Sequence, residues 1–306
     1  MEIQDIEKYI LSEIKRQKTL CFPLIDSENS FKTMEVARRL EQLGASAILV
    51  GGSSTSDQIE LSKFVTDLKN NVKIPIILFP GNITGISPNA DAILFSSLLN
   101  SENPYYITGA QAQGALVINK YNLEAIPTGY LIIGDGSTAW FIGQAKSIPF
   151  DKPNITVMYA LAAFYMGMRF LYLEAGSGAS QNIPPEMVSA VKKYYKGIVV
   201  VGGGINSAET AKKISNAGAD IIVIGTMRKS ILLLLKTIPS FIIKIISTYI
   251  YAYTTGEIDT ITPITIEKFR SVLKEQVFIE KEFIESYDSL SQNQRELLKD
   301  FFKIIS

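Results

Sequence analysis

Eight short apolar runs recur between residues 20 and 226, and a more polar stretch follows each of them. Near-continuous apolar runs are typical of parallel strands that are buried on both faces of a sheet. The predicted strands are Leu20–Ile25, Ala47–Val50, Ile74–Phe79, Ala92–Phe95, Ala125–Ile133, Phe170–Leu173, Ile198–Val201 and Ile221–Ile224.

The stretches between the runs predict helices, because their apolar residues recur at three to four positions. Ser207 is placed to cap the last helix. The connection from Gly81 to Asp91 is too rich in glycine, proline and asparagine for a full helix, and Pro23 predicts a bulge in the first strand. Met1–Arg16 is also helix-like. The other predicted helices are Ser30–Leu43, Ser56–Lys69, Thr108–Lys120, Asn154–Met166, Pro184–Tyr195 and Ser207–Ala217.

This alternation favours a closed (β/α)8 TIM barrel, although an open doubly wound sheet has the same pattern. Glycine, hydroxyl and acidic residues gather at the carboxyl ends of the runs, as in Gly51-Gly52-Ser53 and Gly202-Gly203-Gly204. Ordinary turns would enrich glycine at both ends. Because barrel enzymes place their active sites at the carboxyl ends of the strands, we expect the functional residues there.

Two neighbouring strand ends carry the strongest signal for a bound anion. Gly203 and Gly204 follow the seventh strand, and Gly225 and Thr226 follow the eighth. Glycine lets the backbone approach a ligand closely, and the free amides at a helix start attract anions. We therefore predict a phosphate site at this pair of loops; for a lone glycine run, a tight turn is the alternative.

Carboxylates at other strand ends suggest acid–base chemistry and a metal. Tyr172 and Glu174 lie on the same side of the sixth strand, and Glu174 can accept the proton of a bound alcohol. The alternative is a glutamate that caps its loop. Asp26 and Ser53, after the first and second strands, can hold Mg²⁺; the alternative for Asp26 is an Asx turn.

Composition removes several classes of function. The chain has 30 basic and 30 acidic residues, so it has no bulk attraction for nucleic acid. Without histidine, Ser-His-Asp triads, Cys–His pairs and histidine-based zinc sites are excluded. The single cysteine, Cys21, is expected to be a buried thiol. The N-terminus lacks the apolar core of a signal peptide, which predicts a cytoplasmic protein.

Several longer motifs occur together in one order. They are Leu-Ile-Asp (24–26), Val-Gly-Gly-Ser (50–53), Ile-Leu-Phe-Pro-Gly-Asn (77–82), Gly-Ile-Ser-Pro-Asn-Ala-Asp-Ala (85–92), Ser-Leu-Leu-Asn-Ser (97–101), Tyr-Leu-Glu-Ala-Gly-Ser-Gly-Ala (172–179), Pro-Pro-Glu-Met (184–187) and Val-Gly-Gly-Gly-Ile (201–205). In these motifs the chain resembles the archaeal branch of the geranylgeranylglyceryl phosphate synthase family. The resemblance covers residues 10 to about 228.

The resemblance implies a TIM-barrel prenyltransferase that joins geranylgeranyl diphosphate to the 3-hydroxyl of sn-glycerol 1-phosphate, with Glu174 taking the hydroxyl proton. It also implies Mg²⁺ at Asp26 and Ser53, and a homo-oligomer. Phe79, Tyr105 and Tyr106 would line the groove for the prenyl chain, with plain core packing as their alternative. The residues implied around sn-glycerol 1-phosphate are Tyr172, Leu173, Glu174, Ala175, Gly176, Ser177, Gly178, Gly203, Gly204, Gly225 and Thr226.

The chain departs from the family at Asn29, where a basic residue is usual; Lys18 is a candidate substitute. Two other functions compete with the prenyltransferase. An isomerase or aldolase would need a lysine or second acid at a strand end, and none is evident. A catalytically impaired barrel with a scaffold or membrane-contact role is favoured by Asn29.

The C-terminal part lies beyond the resemblance. Residues 231–253 are very apolar, with a narrow polar stripe and Pro239. They are interpreted as an enlarged eighth barrel helix, with a helix on the membrane surface or across the membrane as alternatives. We expect a barrel domain over residues 1–253 and a helical extension over 254–306.

Overall fold

Eight parallel strands close into a barrel in which every strand pairs with its neighbours in chain order. The structure is a computed structural model that describes residues 2–26, 32–51, 57–177, 179, 181–205 and 207–225. The predicted barrel is confirmed, and the open sheet is wrong. The strands are β1 Leu20–Ile25, β2 Ile48–Val50, β3 Ile76–Leu78, β4 Ala92–Leu98, β5 Glu124–Ile132, β6 Phe170–Glu174, β7 Ile198–Gly202 and β8 Ile221–Ile224.

The helices fall close to the predicted stretches. Ser207 caps the last of them, because its side chain accepts a hydrogen bond from the Thr210 amide. Between β3 and β4 there is only a 3₁₀ turn, Ile83–Gly85, as the composition of that connection indicated. The α-helices are α1 Asp5–Gln17, α2 Lys32–Gln42, α3 Gln58–Asn71, α4 Ala110–Lys120, α5 Thr138–Gly143, α6 Pro153–Tyr165, α7 Pro185–Tyr194 and α8 Ala208–Asn216.

The bulge predicted at Pro23 is wrong. Residues Leu20 to Pro23 pair with β8 in unbroken register, and pairing with β2 begins only at Leu24. Proline cannot donate to a ladder. Because Pro23 has no amide hydrogen to donate, the ladder between β1 and β2 is shorter, and the strand forms no bulge.

Helix α1 closes the amino-terminal end of the barrel. Ile10 is fully buried in the same cluster as Leu20 and Ile221, whose side chains point into the barrel. The Glu124 carboxylate accepts the amides of Ile6 and Glu7, each at 2.8 Å, so it caps the helix start. A ligand site inside the barrel is therefore expected at the opposite end, where the strands have their carboxyl ends.

Cys21 is fully buried, and burial raises the pKa of its thiol to about 12, as expected of a packing residue. No helix in the described residues is long and apolar enough to cross a membrane. Ser53, Gly178, Thr226, Asn29 and residues 231–306 lie outside the described residues. The predictions for them, including the domain boundary at 253, the helical extension and a membrane contact, stay predictions.

Candidate active site

The carboxyl ends of five adjacent strands form a polar arc around the open end of the barrel. In spatial order the strands are β6, β7, β8, β1 and β2. Residues at these ends are Glu174, Gly203, Gly225, Asp26 and Gly51. The barrel thus brings together groups that are up to about 200 residues apart in the sequence.

Glu174 is the buried acid of this arc, with 7% of its surface exposed. Its Oε1 accepts the Gly176 amide at 2.6 Å, and the Tyr172 hydroxyl donates to the same carboxylate. Burial raises the pKa of Glu174, and these two hydrogen bonds oppose the rise. A carboxylate in this setting can take a proton from an alcohol held beside it.

The turn after β7 leaves no room for side chains. Gly203 and Gly204 have φ angles of 81° and 65°, the left-handed region that favours glycine. A Cβ on Gly203 would lie 2.5 Å from Glu174 Oε1, and one on Gly202 would lie 2.4 Å from the Tyr172 hydroxyl oxygen. The backbone of β7 therefore packs directly on the acid.

The amides of this turn are available to a ligand. Neither the Gly203 nor the Gly204 amide donates to another residue in the part of the chain that the structure describes. Two such amides beside a buried carboxylate suit an anion that carries a hydroxyl group. The same turn leads into α8, whose N-terminus adds a positive dipole end.

On the next strand end, Gly225 is clear of the other described residues. A Cβ built on Gly225 meets none of their atoms within 4 Å. Asp26 follows β1 and is half-buried. The Gly51 amide, after β2, donates to the carbonyl of Ile25, the last residue of β1, at 3.2 Å. The loops after β1 and β2 are therefore neighbours. Among the described residues, no group of three or more potential metal ligands converges.

Three aromatic rings line the inside of the barrel next to the acid. Phe79 stacks on Tyr172 with ring centroids 5.1 Å apart, and Tyr130 contacts both rings edge-on at 5.5 and 5.3 Å. Burial, and then the charge of Glu174, raises the pKa values of Tyr130 and Tyr172 well above the usual range. Both phenols stay protonated and can donate hydrogen bonds.

An apolar wall continues from Tyr130 away from the acid. Its members come from β4, β5, helix α5 and the connections after these strands. Tyr105 packs edge-on against one of them, Tyr106, with ring centroids 5.1 Å apart. One side of the barrel end is therefore polar and the other apolar. The members of this apolar wall are Leu98, Tyr106, Tyr130, Ile132, Ala139, Trp140 and Ala145.

Comparison with known proteins finds relatives that match most of the barrel. A model of the PcrB family matches residues 13–231. The geranylgeranylglyceryl phosphate synthase of Nitrosopumilus maritimus is 57% identical over 223 residues, which cover 72% of this chain and 89% of the relative. The chain belongs to the geranylgeranylglyceryl phosphate synthase family.

Two further members support the assignment. The synthase of Pyrococcus furiosus is 50% identical over 232 residues, which cover 75% of this chain and 92% of that protein. The crystal structure of (S)-3-O-geranylgeranylglyceryl phosphate synthase from Thermoplasma acidophilum, in complex with sn-glycerol-1-phosphate, superposes with a TM-score of 0.71 at 33% identity. That match covers 81% of this chain and 99% of the crystallised chain.

Within this member of the geranylgeranylglyceryl phosphate synthase family, not every predicted residue faces the site. Leu173 and Ala175 point away from the barrel interior into the layer between sheet and helices, so only their backbone can serve a ligand. Ser177 is exposed. Lys18 precedes β1 at the closed end of the barrel, so it is the wrong substitute for a basic residue at position 29.

Sequence reasoning missed Tyr130 and Trp140. Tyr130 lies on β5 at the same inward alternation as Ile126 and Thr128, and that period of two is the signal that could have identified it. Trp140 joins the apolar wall through the loop after β5, which carried no sequence signal for this contact.

Proposed function

We propose that this chain transfers the geranylgeranyl group of geranylgeranyl diphosphate to the 3-hydroxyl of sn-glycerol 1-phosphate. The observation that carries the proposal is the turn after β7, where Gly203 packs against the buried Glu174 carboxylate and the Gly203 and Gly204 amides donate to no other described residue. The apolar wall beside them suits a prenyl chain. Relatives that bear this activity in their names support the same reaction.

In the proposed reaction, the Gly203 and Gly204 amides and the loop at Gly225 bind the phosphate. This binding places the substrate hydroxyl near Glu174, which takes its proton as the new C–O bond forms. The bond from the allylic carbon to the diphosphate breaks, and its electron pair leaves with the diphosphate. The half-buried ring of Phe79 offers an aromatic face to the positive charge that develops on that carbon.

We further propose that Asp26 and Ser53 hold Mg²⁺. The half-buried Asp26 carboxylate lies on the polar arc, and carboxylate and hydroxyl oxygens suit a hard cation that keeps several waters. When bound, the ion neutralises negative charge on the leaving diphosphate. Asp26 would orient that ion from the side of the arc opposite Glu174.

A direct assay tests the proposal. The purified protein is incubated with Mg²⁺, labelled glycerol 1-phosphate and geranylgeranyl diphosphate, and label is counted in a butanol extract. A matched incubation with a chelator tests the metal. We expect product to form only when geranylgeranyl diphosphate is present, and we expect the chelator to abolish it. Intact binding of both substrates without product would instead support the catalytically impaired barrel.

Gly225→Ala tests the phosphate site without disturbing the fold. Since a Cβ there meets no atom within 4 Å, thermal unfolding should be unchanged. The added methyl group would stand where the phosphate is proposed to bind. We expect KM for glycerol 1-phosphate to rise about tenfold, and KM for the diphosphate to stay constant. If KM for glycerol 1-phosphate is the same in Gly225→Ala and in the parent protein, the phosphate does not bind at Gly225.

We also propose a homo-oligomer formed through α6. This helix carries no charged residue, and Met158 and Tyr165 are 69% and 78% exposed. A helix that is apolar on all sides is typically buried, and a second copy of the same neutral face would cover it. The neutral face does not suit an anionic membrane surface, which attracts basic helices.

Met158→Glu should therefore dissociate the oligomer. Its expected result in sedimentation is a shift toward the monomer mass. The matched control is Ile59→Glu, which charges an apolar residue on α3 that is 81% exposed. A monomeric parent protein, or a Met158→Glu variant that keeps the parent mass, would contradict the proposed interface.

A further inference from the structure

The residue that precedes helix α5 makes two different contacts. The Ser137 hydroxyl caps the helix, because it accepts a hydrogen bond from the Trp140 amide at 3.1 Å. The Cβ of the same residue packs on the loop after β6. A Cβ built on Gly176 would lie 2.3 Å from the Ser137 Cβ, so the Ser137 side chain fills the space beside Gly176. Ser137 therefore joins α5 to the loop that follows Glu174.

Gly176 is the residue that binds the acid from this loop. It is buried, and its amide donates to Glu174 Oε1 at 2.6 Å. Glycine has no side chain to fix its position, and its backbone moves with little resistance. The three atoms nearest to a Cβ built on Gly176 all belong to Ser137. The direction of the Gly176 amide therefore depends on the packing of Ser137.

The far end of α5 is bound to the chain that follows β4. The Ser101 hydroxyl donates to the carbonyl of Gly143, the last residue of the helix, at 2.6 Å. Asn100 is 2% exposed; its Nδ2 donates to the carbonyls of Ile132 and Lys146, each at 2.9 Å, and its Oδ1 accepts the Ile132 amide at 3.1 Å. These bonds hold both ends of the segment that contains α5. The helix thus links the end of β4 to the loop after β6.

We propose that Ser137 is a positioning residue for Glu174 and acts through the Gly176 amide. The inference rests on the proposed function and adds a residue to its proton-transfer step. The Ser137 hydroxyl serves the helix, whereas the Cβ holds Gly176. Without that Cβ the Gly176 amide turns away more often, and the carboxylate loses a hydrogen bond that directs it. Fewer bound complexes then have the base aligned with the substrate hydroxyl.

The experiment compares Ser137→Gly with Ser137→Ala. Both variants lose the hydroxyl cap, and only Ser137→Gly loses the Cβ. Alanine destabilises a helix start more than glycine does, so Ser137→Ala should unfold at the lower temperature. Turnover should follow the opposite order: we expect kcat to fall about tenfold in Ser137→Gly and to stay within about twofold of the parent in Ser137→Ala. A purely structural role would lower stability and turnover in the same order.

Two further variants locate the effect. Thr138→Gly gives the same backbone freedom to the next residue, which is exposed, and should keep the parent kcat. Ser101→Ala releases the other end of α5 and should lower kcat. In the Ser137→Gly background it should have no additional effect, because both changes act through one contact. KM for both substrates should stay within about twofold of the parent in every variant.

Equal kcat values in Ser137→Gly and Ser137→Ala would overturn the proposal, and so would a loss confined to KM. If Ser137→Gly does not fold, Ser101→Ala decides, and a parent kcat in that variant overturns the proposal. If the parent protein transfers no prenyl group, the proposed function fails instead. Hydrogen exchange of the Gly176 amide then tests the contact, because it should accelerate in Ser137→Gly and not in Ser137→Ala. Equal exchange rates in the two variants would overturn the proposal.

Discussion

Glu174→Gln should lower prenyl transfer by more than about a hundredfold while the fold stays intact, because the amide cannot accept the substrate proton. The Gly176 amide can still donate to the remaining carbonyl oxygen, so the loop keeps its shape. Turnover is measured with both substrates saturating. Glu60→Gln, an exposed carboxyl on α3, is the matched control and should leave turnover unchanged.

The pH dependence gives the same residue a second test. Burial raises the pKa of Glu174, and a general base works only when it is deprotonated. The acidic limb of kcat/KM should therefore lie at higher pH than the ordinary glutamate pKa of about 4.3. In Glu174→Gln the residual rate should lack this limb.

Glu174→Gln should lower the activity without lowering the thermal stability of the protein. Because the pKa of Glu174 is higher in the folded protein than in the unfolded chain, folding favours the protonated acid. The stability that Glu174 contributes to the folded protein is fully present below its pKa in the unfolded chain. It is lost as the pH rises through its pKa in the folded protein. At neutral pH, Glu174→Gln should therefore unfold at a temperature no lower than the parent protein. Near-normal turnover, or an unchanged acidic limb, would remove Glu174 from the role of base.

Gly203→Ala should lose both stability and activity. The φ angle of 81° is strained for alanine, which costs about 1 to 3 kcal/mol. The new methyl group would also lie 2.5 Å from Glu174 Oε1 and from the Gly176 nitrogen, so the acid must shift. Since a displacement of about 1 Å can reduce rates about a hundredfold, we expect a loss of that order in kcat.

Gly167→Ala is the matched control for the backbone strain. Gly167 also has a φ of 81°, but a Cβ there meets no atom within 4 Å, and the residue precedes β6 at the closed end of the barrel. Both variants should show the strain in thermal unfolding, and only Gly203→Ala should lose turnover. If both kept full turnover, the β7 turn would not hold the acid in place.

The pattern of apolar runs predicted the barrel well because buried parallel strands leave a local signature. The first and last strands match the predicted ranges, and the alternation along β6 correctly placed Tyr172 and Glu174 on one side. The family resemblance is less accurate where it assigns every residue of a continuous stretch to the substrate site. Leu173 and Ala175 were included with their neighbours, although alternate residues of a strand point to opposite faces.

Other features of the site depend on closure of the barrel and were out of reach of local patterns. Tyr130 meets Tyr172 only because β5 lies beside β6 in the folded protein. The sequence predicts a helix that begins at Thr108, whereas the structure has a π-helical turn over Tyr105–Gly109 that is bonded to Ser97 and Gln111. The bond from the Gly176 amide to Glu174 likewise removes one donor from the predicted phosphate set.

In the part of the chain that the structure describes, helix α1 leaves the barrel with one open end. Ile10 fills the interior below the strands, and Glu124 and Arg169 hold the helix there through its first turn and through Glu7. Whatever enters the barrel must also leave at the end where Glu174 and Asp26 lie. A lipid product and a released diphosphate would then compete for one exit, so the order of their departure sets how quickly the next substrate pair can bind.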